Sequence, residues 1–174
     1  MQLILIGYRG TGKSTVARRV AELLELECLD ADAEVERRAG KSIKQIFAED
    51  GEPAFRDLEV QVIAGLVQHR DAVLSLGGGA VMREETRRAI APGTVVWLTA
   101  RPETVHDRVT ADIRTTAQRP NLTTSGGLAE ITTLLTQREP VYRACADFVV
   151  ETDTKSAEQV AQQIVCLVKG EASP

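Results

Sequence analysis

Residues 3–14 read Leu3-Ile4-Leu5-Ile6-Gly7-Tyr8-Arg9-Gly10-Thr11-Gly12-Lys13-Ser14: an unbroken apolar run, stopped by a glycine, then a glycine-rich loop ending in a lysine and a hydroxyl. An apolar run without polar alternation fits a strand covered on both faces, as in a parallel sheet. From Lys13 the period changes. Val16, Ala17, Val20, Ala21, Leu23 and Leu24 recur at the spacing of a helix with one apolar stripe, here as far as Leu24. Between strand and helix, Gly7 to Ser14 matches G-x-x-x-x-G-K-[S/T] in the context that motif requires. Glycines let backbone N–H groups curl inward around an anion, and the helix N-terminus adds its positive end. The lysine reaches terminal phosphates and the serine hydroxyl can ligate Mg²⁺. Gly10, Thr11, Gly12, Lys13, Ser14 and Thr15 are therefore the expected nucleotide-phosphate residues.

Working outward, Leu26 to Asp30 reads as a second strand, and Ala72 to Leu76, Thr94 to Leu98 and Phe148 to Glu151 as three more. From Ala33 to His69 the chain looks helical in three pieces. The first breaks at Gly40-Lys41, the second opens with the capping-box pattern Ser42-Ile43-Lys44-Gln45, and Pro53 suits the first turn of the third. Arg83 to Ile90 and Ser156 to Lys169 complete the helices, the latter with a second capping box in Ser156 and Gln159, and residues 170–174 form a frayed tail. Strands alternating with helices imply an α/β, three-layer fold: a five-stranded parallel sheet, helices on both faces, and ligands at the carboxyl ends of the strands. One domain over residues 1–170 is expected, with a helical segment at about 33–60 between the second and third strands. Thr110 to Gly127, rich in Thr, Arg and Gly, resists assignment and suggests a mobile lid at about 112–125.

Composition removes other function classes. A net charge of −4 and a pI near 5.3 argue against a nucleic-acid partner, which clustered positive surface would hold. The apolar run at the start is too short to span a bilayer and has no basic leader before it, so a cytoplasmic protein without membrane contact is expected; a monomer is the expected state of the chain. Cys28, Cys145 and Cys166 form no CxxC pair and read as buried free thiols in a reducing compartment.

Further candidates follow the phosphate loop at one-unit intervals. Asp30-Ala31-Asp32 closes the second strand, where one carboxylate can support a metal and another orient or deprotonate an attacking hydroxyl; alone, these acids read equally as helix caps. Phe55-Arg56-Asp57-Leu58-Glu59 opens the third helical piece, and Gly77-Gly78-Gly79 ends the third strand where a ligand could approach the backbone closely. Aromatic content of 3% makes an arginine face a better partner for a nucleotide base than an aromatic ring.

Taken together with Arg119-Pro120, these motifs resemble in order and spacing the shikimate kinases, over nearly the whole chain. The resemblance implies the P-loop kinase fold and transfer of the ATP γ-phosphate to the 3-hydroxyl of shikimate, on the way to chorismate and the aromatic amino acids. It implies that Lys13 and Ser14 serve ATP and Mg²⁺, that Asp30 supports the metal and that Asp32 meets the reacting hydroxyl. Arg56 and Arg138 would grip the shikimate carboxylate, the latter through the match of Gln137-Arg138-Glu139-Pro140-Val141-Tyr142. Gly78 and Gly79 would donate backbone N–H groups to the ring, Arg119 would be the catalytic lid arginine that also meets the nucleotide, and Lys155 would line the base pocket. Two departures touch the lid: Asn121-Leu122 stands where the family often has two leucines, and the arginine bordering the nucleotide before the lid is either Arg108 or Arg114. A gluconate kinase would share Lys13 and Ser14 without needing Arg56, the glycine run and Arg138. A non-catalytic relative would have lost part of the set.

Overall fold

The structure, a computed structural model, describes residues 1–111 and 127–170. The proposed lid with Arg119, and Arg114, lie outside the described residues, as does the tail from residue 171. The strands are β1 (Gln2–Ile6), β2 (Glu27–Asp30), β3 (Ala72–Ser75), β4 (Thr94–Thr99) and β5 (Phe148–Glu151). They form one sheet in the order β2-β3-β1-β4-β5, and every pairing is parallel. The helices among the described residues are α1 (Lys13–Leu24), α2 (Ala31–Ala39), α3 (Ile43–Glu49), α4 (Gly51–Leu66), α5 (Glu84–Ile90), α6 (Pro102–Ala111), α7 (Gly127–Cys145) and α8 (Ala157–Lys169), with a 3₁₀ turn at Ala80–Met82.

The opening run shows why the sheet lies between two helical layers. Leu3 and Leu5 enter a core with Val16, Ala17 and Val20 of α1 and Val160 and Ile164 of α8. Ile4 and Ile6 point the other way, into a core with Val35, Phe55, Ile63 and Tyr142. Successive side chains of a strand alternate faces, so a strand buried on both sides must be apolar at every position. Each such side chain contributes about 1.5–3 kcal/mol through burial.

Local chemistry sets the helix ends. Ser42 and Ser156 each form the expected capping box, with Gln45 and Gln159. Gly40 and Gly170 end α2 and α8 in the left-handed conformation. Some boundaries moved. Helix α2 begins at Ala31 rather than Ala33, because Asp30 is its N-cap and its carboxylate accepts from the amides of Asp32 and Ala33. Helix α4 stops at Leu66, short of His69. Helix α6 was not assigned from sequence; Pro102 occupies its first position, where the missing N–H has no carbonyl to lose. The thiols depart from expectation in their burial: all three are free, but Cys28 is exposed on the edge strand β2, and Cys145 and Cys166 are only half-buried, Cys145 at the margin of the core that holds Tyr142. Among the described residues no helix is long and apolar enough to cross a membrane.

Candidate active site

Sheet register brings the motifs to one edge. Ser75 pairs with both Leu5 and Asp30, and Ile6 pairs with Trp97, so the phosphate loop, the Asp30 turn and the glycine run leave the sheet side by side. The central strand β1 carries the phosphate loop, and its two neighbours, β3 and β4, lead to opposite sides of the sheet order. That is the switch point where ligands bind in open α/β sheets.

The loop curls through residues of positive φ: Gly7 at 138°, Gly10 at 77° and Gly12 at 88°. At Gly7 a side chain is doubly excluded, because a Cβ would stand 2.4 Å from the Leu98 carbonyl oxygen. The Tyr8 carbonyl organises the interior, accepting from Thr11 Oγ1 at 2.8 Å and from Lys13 Nζ at 2.8 Å. Lys13, the first residue of α1, is only 8% exposed, so its ammonium is held within the loop. Ser14 donates to Asp30 Oδ2 at 2.7 Å, and its oxygen lies 3.3 Å from Ser75 Oγ. Asp30 thus caps α2 with one oxygen and holds Ser14 with the other, so the capping and metal-support readings of this residue are compatible. Asp32 sits half-buried in the first turn of α2.

On the far side of the glycine run stand the two guanidiniums. Arg56 donates to Glu59 at 2.8 Å and to Glu52 at 3.1 and 3.2 Å, with its guanidinium 5.0 Å from the Phe55 ring. Burial disfavours the Arg56 cation, but Glu59 and Glu52 outweigh it and raise its pKa above the ordinary arginine value. Arg138, on α7, donates to the Gly78 carbonyl at 3.1 Å, and the Tyr142 hydroxyl donates to the same oxygen. Burial pushes the Tyr142 phenol up to about 12, so it remains a donor. The glycine run packs tightly between these groups: a Cβ on Gly78 would meet the Arg9 amide nitrogen at 3.0 Å, and one on Gly79 the Arg56 Nη2 at 2.5 Å. Among the described residues no acceptor meets the N–H groups of Gly78 and Gly79, which leaves them available to a ligand.

A cavity of about 220 Å³ opens beside the phosphate loop, lined by Thr11, Thr15, Arg108, Thr152, Lys155 and Val160. Arg108 donates to Thr152 Oγ1 at 3.0 Å and to its carbonyl at 2.6 Å, and reaches toward the Gly10 carbonyl at 3.5 Å. Arg108, one of the two arginines left open by sequence, thus stands beside the phosphate loop; the other, Arg114, lies outside the described residues. Lys155 donates to Gln163 at 2.9 Å at the rim. A larger cavity of about 340 Å³, between β4, β5 and α7, includes Thr11 but no other residue expected to bind nucleotide, metal or acceptor. Sequence reasoning missed Ser75, Glu59 and Thr152. Glu59 carried a signal, standing three residues after Arg56 on a helix, whereas Ser75 and Thr152 are visible only once the strands are in register.

The phosphate loop alone fits many reactions, so comparison with known proteins is informative. The family model for shikimate kinase matches residues 9–169. A shikimate kinase of Rhodopirellula baltica is 38% identical over 94% of this chain and 88% of its own length. One from Pseudomonas putida is 44% identical over 94% of this chain and 93% of its own. In structure, the shikimate kinase of Acinetobacter baumannii, solved in complex with shikimate, superposes with a TM-score of 0.90 at 37% identity, covering 97% of this chain and 93% of that one. Phosphate loop, paired arginines and glycine run thus occur within a sequence and a fold shared almost end to end with these enzymes, and the chain belongs to the shikimate kinase family.

Proposed function

We infer that this chain transfers the γ-phosphate of ATP to the 3-hydroxyl of shikimate, giving shikimate 3-phosphate and ADP. Shikimate is the ligand of the Acinetobacter baumannii relative. The observation that carries the reading is the convergence on Gly78 and Gly79 of the phosphate loop on one side and the Arg56 and Arg138 side chains on the other. An anionic acceptor held there lies against the loop that holds the donor phosphate, and in-line transfer needs little more from the protein than position and charge.

In this reading the loop N–H groups and Lys13 bind the β and γ phosphates, and Arg108, Thr152 and Lys155 border the base. Asp32 orients the attacking hydroxyl and accepts its proton, while Arg56 and Arg138 bind the carboxylate of the acceptor through planar guanidiniums. Gly78 and Gly79 supply N–H donors to the ring, and Arg119 stabilises charge on the transferred group. The 2.7 Å pair of Ser14 and Asp30, with Ser75 beside it, is a set of hard oxygen donors that suits Mg²⁺. Ser14 and Asp30 would hold that ion, which supplies neutralisation of phosphate charge when bound. One chain carries both the donor and acceptor elements, which supports a monomer, and three free thiols suit a cytoplasmic setting.

An ADP-release assay with shikimate, with gluconate and with no acceptor tests the reaction: turnover is expected only with shikimate. Turnover with gluconate alone would replace the assignment. Arg56→Lys and Arg138→Lys test the acceptor site, each expected to raise the KM for shikimate while leaving that for ATP unchanged, because an ammonium keeps the charge but loses the fork.

A further inference from the structure

Tyr8 does two things at once. Its carbonyl organises the phosphate loop through Thr11 and Lys13, while its side chain, fully buried, leaves the loop and packs with Val105 of α6 and Ile131 of α7. Leu134 and Leu135 complete that contact, and Arg138 follows one turn later on the same helix. The Arg138 guanidinium stands 5.5 Å from the centre of the Tyr8 ring, within cation–π range, and that of Arg9 stands 5.8 Å from it. The Tyr8 hydroxyl makes no hydrogen bond among the described residues, so the part of the side chain that acts is the ring.

We infer that Tyr8 is a positioning residue for the acceptor: its ring holds the Arg138 guanidinium at the carboxylate end of the cleft, tying acceptor binding to the loop that binds the donor phosphate. Arg138 has five donors and many rotamers, and its hydrogen bond to the Gly78 carbonyl does not by itself fix the plane of the guanidinium. A ring on one side supplies the missing constraint without consuming a donor, so the fork stays free for a carboxylate. The inference rests on the proposal that Arg138 binds the acceptor.

Steady-state kinetics on Tyr8→Phe, Tyr8→Leu, Tyr8→Met, Arg138→Met and the double variant Tyr8→Leu/Arg138→Met test it. Tyr8→Phe keeps the ring and should retain the KM for shikimate within about twofold. Tyr8→Leu and Tyr8→Met should raise that constant about fivefold to tenfold, the scale of a partly desolvated cation–π contact, with the KM for ATP within about twofold. In the double variant the Leu substitution should add less than about twofold to the effect of Arg138→Met. Equal rises in both KM values, a Phe variant as impaired as Leu, or full additivity with Arg138→Met would each overturn the inference. So would failure of both Leu and Met to fold while Phe folds, since the ring would then be a core element and nothing more. An unchanged shikimate KM in Arg138→Met would instead remove Arg138 from the acceptor site, a different failure from that of Tyr8.

Discussion

Gly79→Ala perturbs the arginine proposed for the acceptor, Arg56, with a single methyl group. The backbone at Gly79 has φ −108° and ψ −4°, which alanine adopts without strain, so the added Cβ is the whole perturbation. Built at its ideal position, that Cβ stands 2.5 Å from Arg56 Nη2 and 2.7 Å from both Cζ and Nη1. Unbonded heavy atoms settle at about 3.5–4.0 Å, so the guanidinium must retreat by about 1 Å. It is not free to do so at no cost: Glu59, 1% exposed, holds it at 2.8 Å and Glu52 at 3.1 Å. A retreat of that size takes the Glu59 bond out of hydrogen-bond range unless the helix yields, a loss of about 1–2 kcal/mol, or about 3–6 °C in Tm. Misplacement of a binding group by about 1 Å can lower turnover by about 100-fold, so kcat/KM for shikimate should fall about tenfold to 100-fold while the KM for ATP stays within about twofold. A coupled ADP-release assay with each substrate varied in turn measures both constants. A folded Gly79→Ala variant with kcat/KM for shikimate within threefold of wild type would refute the placement of Arg56 in the acceptor site.

Three other variants probe separate parts of the site. Gly78→Ala should act on the opposite substrate, because its Cβ meets the Arg9 amide nitrogen at 3.0 Å and the Gly7 carbonyl at 3.4 Å; a rise in the KM for ATP is expected, and its absence would mean that the loop yields freely. Lys13→Ala should abolish transfer, at a cost of several kcal/mol in the transition state, with thermal stability little changed; turnover within threefold of wild type would remove Lys13 from the chemistry. Asp32→Asn should depress kcat while nucleotide affinity, measured by calorimetry, persists, and the reverse pattern would exchange its role with that of Asp30. A pH series reads out Tyr142. Its phenol titrates at about 12 when folded and about 10 when unfolded, so the unfolded chain loses the proton first. Stability is then intact below about pH 10 and falls as pH rises toward 12, by up to about 2–3 kcal/mol; urea melts of Tyr142→Phe should lack this part of the loss.

The sequence made the middle of the fold legible and its connections less so. A strand buried on both faces has to be apolar throughout, which is why β1 and β3 were found nearly to the residue, and capping boxes mark helix starts because Ser and Gln there satisfy amides that nothing else can reach. Helix α6 escaped because its only buried apolar residue is Val105, too little periodicity to separate it from a loop. Strand β2, at the sheet edge, has its first two residues exposed and was placed one residue early. Site residues carried by motifs lie in the elements their motifs implied: Lys13 opens α1 with its ammonium on the Tyr8 carbonyl, and Arg56 stands on α4 against Glu59. Ser75 and Thr152 could not be anticipated, because their proximity to Ser14 and Arg108 is created by strands far apart in the chain. The contact of Arg108 with Thr152 is of the same kind, invisible to spacing, while Arg114 lies outside the described residues.

The oxygen that receives both Arg138 and Tyr142 belongs to the main chain of residue 78. A peptide carbonyl is the same in all twenty amino acids, so no point mutation can delete this acceptor; substitution can only shift it or remove one of its donors. Genetic drift at this junction is therefore one-sided. The helical partners can be exchanged and tested singly, while the atom they share persists through every change of side chain. A library randomised at position 142, with Arg138 kept, should accordingly recover functional side chains that differ in how they donate, with the glycine backbone as the fixed half of each solution.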